Sequence, residues 1–326
     1  MIMHPCRAEA NEPQFRPACT ACTACTARRA ALALGLVLGA LLQACAVVDY
    51  EQRRWIFMTT RQAWAPGVAA AVGMQDVWID FVSAHPEQRG QAVNLHGLWL
   101  AQDDAAAPVL LFLHGVRWDV RAAAPRMRQL HALGFAVLGI DYRGFGRSSD
   151  WMPSETLAAE DAREAWRWLA RRHPRARRFV FGHSLGGAIA TRLAHEVDDE
   201  AGLIIEGGFT SALEVLQSTR WGWLPVRPLL TQTLDAASRI AAVGSPVLVV
   251  HAAGDRMIDP ALGRALYERA RQPKRFVRIE GAVHEDVGVV GAAAYRDALR
   301  ELFGIAPAPS RADESQGPPP GEAQVD

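Results

Sequence analysis

Ser184 stands in Gly182-His183-Ser184-Leu185-Gly186, a G-x-S-x-G pattern, and a serine held this way does nucleophilic acyl-transfer chemistry. A hydroxyl attacks well only when it projects from a tight, strained turn toward a base. Glycines two residues before and two after Ser184 remove the Cβ atoms that would collide in such a turn. Nucleophilic serine chemistry then needs three more parts. The base must be neutral near pH 7, which selects histidine. A carboxylate must fix that histidine's tautomer and stabilise the imidazolium. Two backbone N–H groups must converge on the developing oxyanion, and Leu185, the residue after the nucleophile, offers one.

Several residues compete for these parts. His183 adjoins the nucleophile, so its side chain is expected to point away from the base position. His114 and His251 each close an apolar run, and His85, His96, His131, His173 and His195 are scattered and read as solvated. His284 lies in Glu280-Gly281-Ala282-Val283-His284-Glu285-Asp286 after the last apolar run. For the acid, Asp255, Asp259 and Glu206 are available; Asp259 precedes Pro260 and reads as a helix cap.

The elements that must position these groups are legible from periodicity. Val77, Ile79 and Phe81 alternate with Asp76, Trp78 and Asp80, and Val93, Leu95, Leu98 and Leu100 follow, giving two antiparallel strands. Val109–Leu113 is a continuous apolar run suited to a strand buried on both faces. Phe135–Ile140, Phe179–Phe181, Gly202–Glu206, Pro246–His251 and Arg275–Ile279 repeat that signal, with helical stretches of about 10–18 residues between them. Strands alternating with helices imply parallel β-α-β units and one doubly wound sheet of about eight strands. Residues 207–240 break the rhythm with Trp221, Gly222, Trp223, Pro225 and Pro228, and read as a small cap insertion after the sixth strand.

With these elements in place, the stretch 76–304 closely resembles the α/β-hydrolase family. The resemblance rests on His114-Gly115 after the third strand and Asp141-Tyr142-Arg143-Gly144-Phe145-Gly146-Arg147-Ser148 after the fourth. It rests equally on the Ser184 elbow after the fifth strand, Gly254-Asp255 after the seventh and His284 after the last. Phe209-Thr210-Ser211 adds a similarity to the depalmitoylating branch. The resemblance implies Ser184 as nucleophile, His284 as base and Asp255 as acid, in the chain order Ser, Asp, His. It implies Val116, after His114-Gly115, as the second oxyanion donor beside Leu185. The loop departs from the family by carrying Val-Arg-Trp-Asp where many relatives have Asn and a further Gly, which alters the acyl pocket more than the backbone donors. Serine as nucleophile argues against the dehalogenase and epoxide-hydrolase members, which use aspartate. Trp118, Trp151, Trp221 and Trp223 are expected either to line an apolar substrate groove or to pack the insertion onto the sheet.

Composition bounds the rest. The chain has 326 residues, half of them hydrophobic, with 35 basic against 35 acidic side chains, so net charge offers no case for nucleic acid. Lys274 is the only lysine, and Gly-Phe-Gly-Arg-Ser-Ser at 144–149 lacks the lysine of a phosphate-binding loop. No cofactor or metal is expected. Arg28-Arg29 precede an apolar run from Ala30 to Leu42, the layout of a secretory signal. Leu42-Gln43-Ala44-Cys45 resembles a bacterial lipobox, which implies lipidation of Cys45 and a membrane partner through that anchor. All five cysteines lie at or before position 45, so the domain beyond would have no disulfide. The Cys-Thr-Ala repeat at 19–27 reads as low complexity, 45–75 as a tether or ordered lead-in, and 305–326 as a Pro-rich disordered tail. The expected whole is an exported, lipid-anchored serine hydrolase of esters or thioesters. A peptidase or amidase, or a non-catalytic binding protein on the same fold, is the alternative.

Overall fold

The computed structural model describes residues 20–59 and 65–305. Residues 1–19, Arg61 and most of the expected tail (306–326) lie outside them. The chain divides into two compact units, Met1–Val48 and Asp49–Asp326.

A helix, α1 (Thr20–Phe57), runs unbroken through the expected boundary at Cys45. Within Leu32–Phe57 an 18-residue window has mean hydropathy 2.1, long and apolar enough by length and composition to cross a membrane. The sequence reading ended the apolar run at Leu42. The structure continues it because Ala44, Ala46, Val47 and Val48 extend the apolar character without a helix breaker.

In the second unit the described part of the segment read as a tether or ordered lead-in makes packed contacts. Phe57 has no exposed surface and joins the core. Arg53 pairs bidentately with Glu87, both contacts at 2.8 Å. The helix α2 (Ala65–Ala70) follows, and Arg128 donates to the carbonyl of Ala70.

The strands are β1 (Gln75–Val82), β2 (Ala92–Leu100), β3 (Val109–Leu113), β4 (Ala136–Ile140), β5 (Arg178–His183), β6 (Gly202–Glu206), β7 (Val247–Ala252) and β8 (Lys274–Ile279). They form one sheet in the order β1-β2-β4-β3-β5-β6-β7-β8. β1 and β2 are antiparallel to their neighbours, and every other pairing is parallel. Helices α3 (Ala124–Ala132), α4 (Glu155–Arg172), α5 (Leu185–Glu196), α6 (Ala212–Gln217), α7 (Ala237–Ile240), α8 (Pro260–Arg269), α9 (Val287–Val290) and α10 (Ala292–Phe303) complete the unit.

Both faces of the sheet are covered, and strand alternation divides the core accordingly. Val109, Leu111 and Leu113 of β3 pack into one cluster, and Leu110 and Phe112 into the other. Helix starts follow the capping rules: the Ser154 hydroxyl accepts from the Leu157 N–H at 3.1 Å, and Asp259 caps α8 through the Ala261 N–H at 2.9 Å, as its place before Pro260 suggests. Arg143 is fully buried and donates to Asp161 at 2.7 Å and to Gln88 and Glu160 at 2.6 Å each. That network ties the turn after β4 to α4 and to the β1–β2 connection. The chain order reverses between β3 and β5 at the centre of the sheet, and a doubly wound sheet opens its crevice at such a point.

Candidate active site

Ser184 sits between β5 and α5 with φ 54° and ψ −122°, a left-handed conformation rare for a residue with a side chain. The surroundings hold it there. Its N–H donates to the Glu206 carbonyl at 2.9 Å, and its carbonyl accepts from the Gly187 N–H at 2.9 Å. The flanking glycines are required for close approach: a Cβ on Gly186 would overlap the Leu113 carbonyl, and one on Gly182 would overlap the Gly186 carbonyl. The start of α5 therefore lies against the end of β3.

The turn after β3 lies against this elbow. A Cβ on Gly115 would fall 3.2 Å from the Ser184 Cβ, so contact between the two turns depends on the bare glycine. The Nδ1–H of His114 donates to the Gly115 carbonyl at 2.7 Å. Burial pushes His114 below the ordinary histidine value, with Asp141 partly offsetting it, so the ring stays neutral. Arg117 has φ 78° and its N–H donates to the Phe57 carbonyl at 3.3 Å, fixing the turn to the end of α1.

Asp255 follows β7 and is buried. Its Oδ1 accepts the N–H groups of Met257 and Ile258, each at 2.9 Å. Its Oδ2 accepts Nδ1–H of His284 at 2.6 Å. The Nε2 of His251 is 3.3 Å from the same oxygen and 3.2 Å from the Ile258 carbonyl; both are acceptors, so Nε2 carries the proton. Burial alone would raise the Asp255 pKa, but the hydrogen bonds from His251, His284 and the Ile258 N–H hold it well below the ordinary carboxylate range. An ionised acceptor fixes His284 as the Nδ1–H tautomer and leaves Nε2 free to accept. Among the described residues that Nε2 is buried without a hydrogen-bond partner.

Ser184, His284, Val116 and His183 line one cavity of about 480 Å³, together with Trp118, Met257 and Val289. The structure thus places Ser184, His284 and Val116 around a single space, with Asp255 behind His284. Cys45 lies elsewhere in the chain, exposed on α1.

Glu206, the alternative acid, is engaged otherwise. Its carboxylate accepts from Arg126 Nε at 3.2 Å and from the Tyr295 hydroxyl at 2.5 Å. Burial raises its pKa, and the charge of Arg126 outweighs that and brings it below the ordinary value. Of the four tryptophans, only Trp118 lines the cavity, and Trp221 and Trp223 are exposed at 48% and 75%.

Two expectations about histidines are corrected. His183 does not turn away from the base: its ring packs on that of His284 at 4.9 Å, and its Nε2–H donates to the His284 carbonyl at 3.3 Å. His96 is fully buried and not solvated, its Nδ1 3.1 Å from Asp141 and its Nε2 2.8 Å from Asp76. Asp141 in turn accepts the Val120 N–H at 2.6 Å, which clips the segment after β3 to the end of β4. Only the antiparallel pairing of β2 with β4 brings His96 to Asp141, so no local pattern announces the pair.

Comparison with known proteins supplies the family. The family model described as serine aminopeptidase, S33 matches residues 104–221. An uncharacterized protein of Mycobacterium tuberculosis is 36% identical over 200 residues, covering 61% of this chain and 70% of that protein. The chain belongs to the α/β-hydrolase family. Lysophosphatidylserine lipase ABHD12 of Danio rerio is 31% identical over 186 residues, covering 51% of this chain and 48% of the lipase, so this α/β-hydrolase spans about half of that relative. The Pyrococcus furiosus esterase Pf2001 superposes with a TM-score of 0.58 at 18% identity, over 76% of this chain and 97% of the esterase, a likeness of fold. Together these findings support an α/β-hydrolase of the serine type.

Proposed function

We propose that this α/β-hydrolase cleaves carboxylic esters or thioesters through an acyl-enzyme on Ser184. The observation that carries the reading is the 2.6 Å bond from His284 Nδ1 to Asp255, with His284 and Ser184 lining the same cavity. Ser184 Oγ attacks the carbonyl carbon as its proton passes to His284 Nε2. The oxyanion is received by the N–H groups of Val116 and Leu185, and His284 returns the proton to the leaving alkoxide or thiolate. Water, deprotonated by the same nitrogen, then releases the acid and regenerates the serine.

The cavity and the relatives support this substrate class. Val116, Trp118, Met257 and Val289 give the cavity an apolar wall suited to an acyl chain. The names of the lysophosphatidylserine lipases point to single-chain lipid esters. The family description of a serine aminopeptidase favours a second reading, a peptidase using the same residues on an amide. An exported form anchored by a lipid on Cys45 fits the Leu42-Gln43-Ala44-Cys45 motif and the exposure of that cysteine. The length of the apolar stretch in α1 fits an uncleaved anchor instead.

The test is turnover of esters of graded acyl length beside aminoacyl amides. Ester turnover that rises with chain length and vanishes in Ser184→Ala supports the esterase. Turnover confined to amides establishes the peptidase, and none on either class removes the enzymatic reading.

A further inference from the structure

The cap between α6 and α7 presents a patch that the hydrolytic machinery does not use. Trp221, Trp223 and Leu229 are exposed at 48%, 75% and 59%, three large apolar side chains within nine residues. Their exposure comes from a defined turn. The Gly222 N–H donates to the Thr219 carbonyl and the Leu224 N–H to the Trp221 carbonyl, both at 3.0 Å. A Cβ on Gly222 would overlap the Gln217 carbonyl, so the turn closes only with glycine between the two tryptophans. The Arg220 guanidinium lies 4.9 Å from the Trp221 ring centroid, and Arg227 is also exposed. No acidic residue occurs from Val215 to Leu234.

The occupant of this patch is indicated by what the cap is fastened to. Gln52 Nε2 donates to the Leu229 carbonyl at 2.6 Å, and its Oε1 accepts the Thr231 N–H at 2.9 Å. Gln232 Nε2 donates to Asp49 at 2.9 Å. Asp49 directly follows Val48, in the apolar stretch of α1, and lies four residues after Cys45. Whether the chain is held by that stretch or by a lipid on Cys45, the bilayer hands it over at Asp49, one helical turn (about 6 Å) from the anchor. The cap is bonded to that point. Trp223 is six residues before Leu229, within about 20 Å even of extended chain. At the other end of the Asp49–Phe57 segment, about 12 Å along the helix, the Phe57 carbonyl holds the oxyanion turn through Arg117.

We propose that Trp221, Trp223 and Leu229, with Arg220 and Arg227, form a docking surface for an anionic lipid bilayer. Tryptophan settles at the boundary between headgroups and acyl chains because its ring is apolar and its N–H is polar. The arginines meet headgroup phosphates with bidentate donors. Docked this way, the Ser184 cavity takes acylated substrates from the membrane and does not depend on their small dissolved fraction. This consequence for substrate supply rests on the esterase reading; the docking itself does not.

The test uses the full chain in vesicles of phosphatidylcholine and phosphatidylglycerol, with the double variant Trp221→Ala/Trp223→Ala and the conservative Trp221→Phe/Trp223→Phe. Tryptophan emission is measured with acyl-brominated phosphatidylcholine as quencher. Hydrolysis is measured on a long-chain ester carried in the vesicles and on a short water-soluble ester. In the alanine variant, the emission quenched by brominated lipid falls at least twofold. Turnover of the vesicle ester falls at least tenfold while the soluble ester stays within twofold, and the phenylalanine variant restores most of the vesicle rate. Unchanged quenching overturns the proposal, as does a parallel loss on both esters. A wild-type chain that hydrolyses neither ester refutes the esterase reading, and the quenching still decides the docking.

Discussion

Asp255→Asn isolates the part of the site that the geometry defines most sharply. The aspartate accepts four N–H groups. Met257 and Ile258 bond Oδ1 at 2.9 Å each, and His284 and His251 approach Oδ2 at 2.6 and 3.3 Å. In the variant the amide oxygen keeps the two backbone donors, so its NH2 faces both histidines. His284 can meet that group only by accepting at Nδ1, which moves its proton to Nε2. A protonated Nε2 cannot take the proton of Ser184. In a serine triad this tautomer error costs about 10⁴ in kcat, or about 5.5 kcal/mol of barrier. Folding suffers less: His251 loses one acceptor and keeps the Ile258 carbonyl at 3.2 Å, a cost of about 1–3 kcal/mol. The assay is kcat and KM on a short-chain ester with thermal melting alongside, and Asp259→Asn, which retains the α8 cap, serves as control within about twofold. A loss below tenfold in Asp255→Asn, with the large loss appearing in Glu206→Gln, would refute the reasoning and move the acid to β6.

Three further outcomes follow from the same geometry. Gly115→Ala places a methyl 3.2 Å from the Ser184 Cβ and displaces the turn that carries Val116. Its kcat should fall by about 10²–10³, the worth of one oxyanion donor, with KM little changed; an unperturbed kcat would remove Val116 from the hole. Asp255 and Glu206 both have depressed pKa values when folded, so both stabilise the fold above the unfolded carboxylate value of about 4 and lose that contribution as pH falls through and below it. Melting temperature should therefore drop on acidification from about pH 4, with a shallower slope in Asp255→Asn; an identical slope would contradict the linkage. Mass spectrometry of the mature N-terminus tests the anchor: a diacylglyceryl Cys45 supports lipidation, and a chain continuing upstream with a free thiol at Cys45 refutes it.

The sequence carried far into the site because its main parts are local. The elbow is five consecutive residues, and the His114-Gly115 turn and the Gly254-Asp255 corner each follow an apolar run that identifies its strand. The β1–β2 hairpin was legible for the same reason: Val77 and Ile79 face the core while Asp76, Trp78 and Asp80 are exposed. What stayed hidden is long-range. His96 meets Asp141 across 45 residues, and Arg126 meets Glu206 across 80. Neither partner carries a mark of the other. The place of His183 is hidden for the same reason, since it meets His284 across 101 residues. The apolar stretch of α1 runs past Leu42 because Gln43 interrupts the hydropathy but not the helix.

The central claim is that Ser184 is the nucleophile, and covalent trapping tests it most directly. The full chain is treated with a fluorophosphonate, digested and sequenced by mass spectrometry. The account predicts a single stoichiometric adduct on the peptide containing Ser184, absent in Ser184→Ala and slowed in Asp255→Asn. An adduct on another residue, or no adduct in the folded wild-type chain, would contradict it.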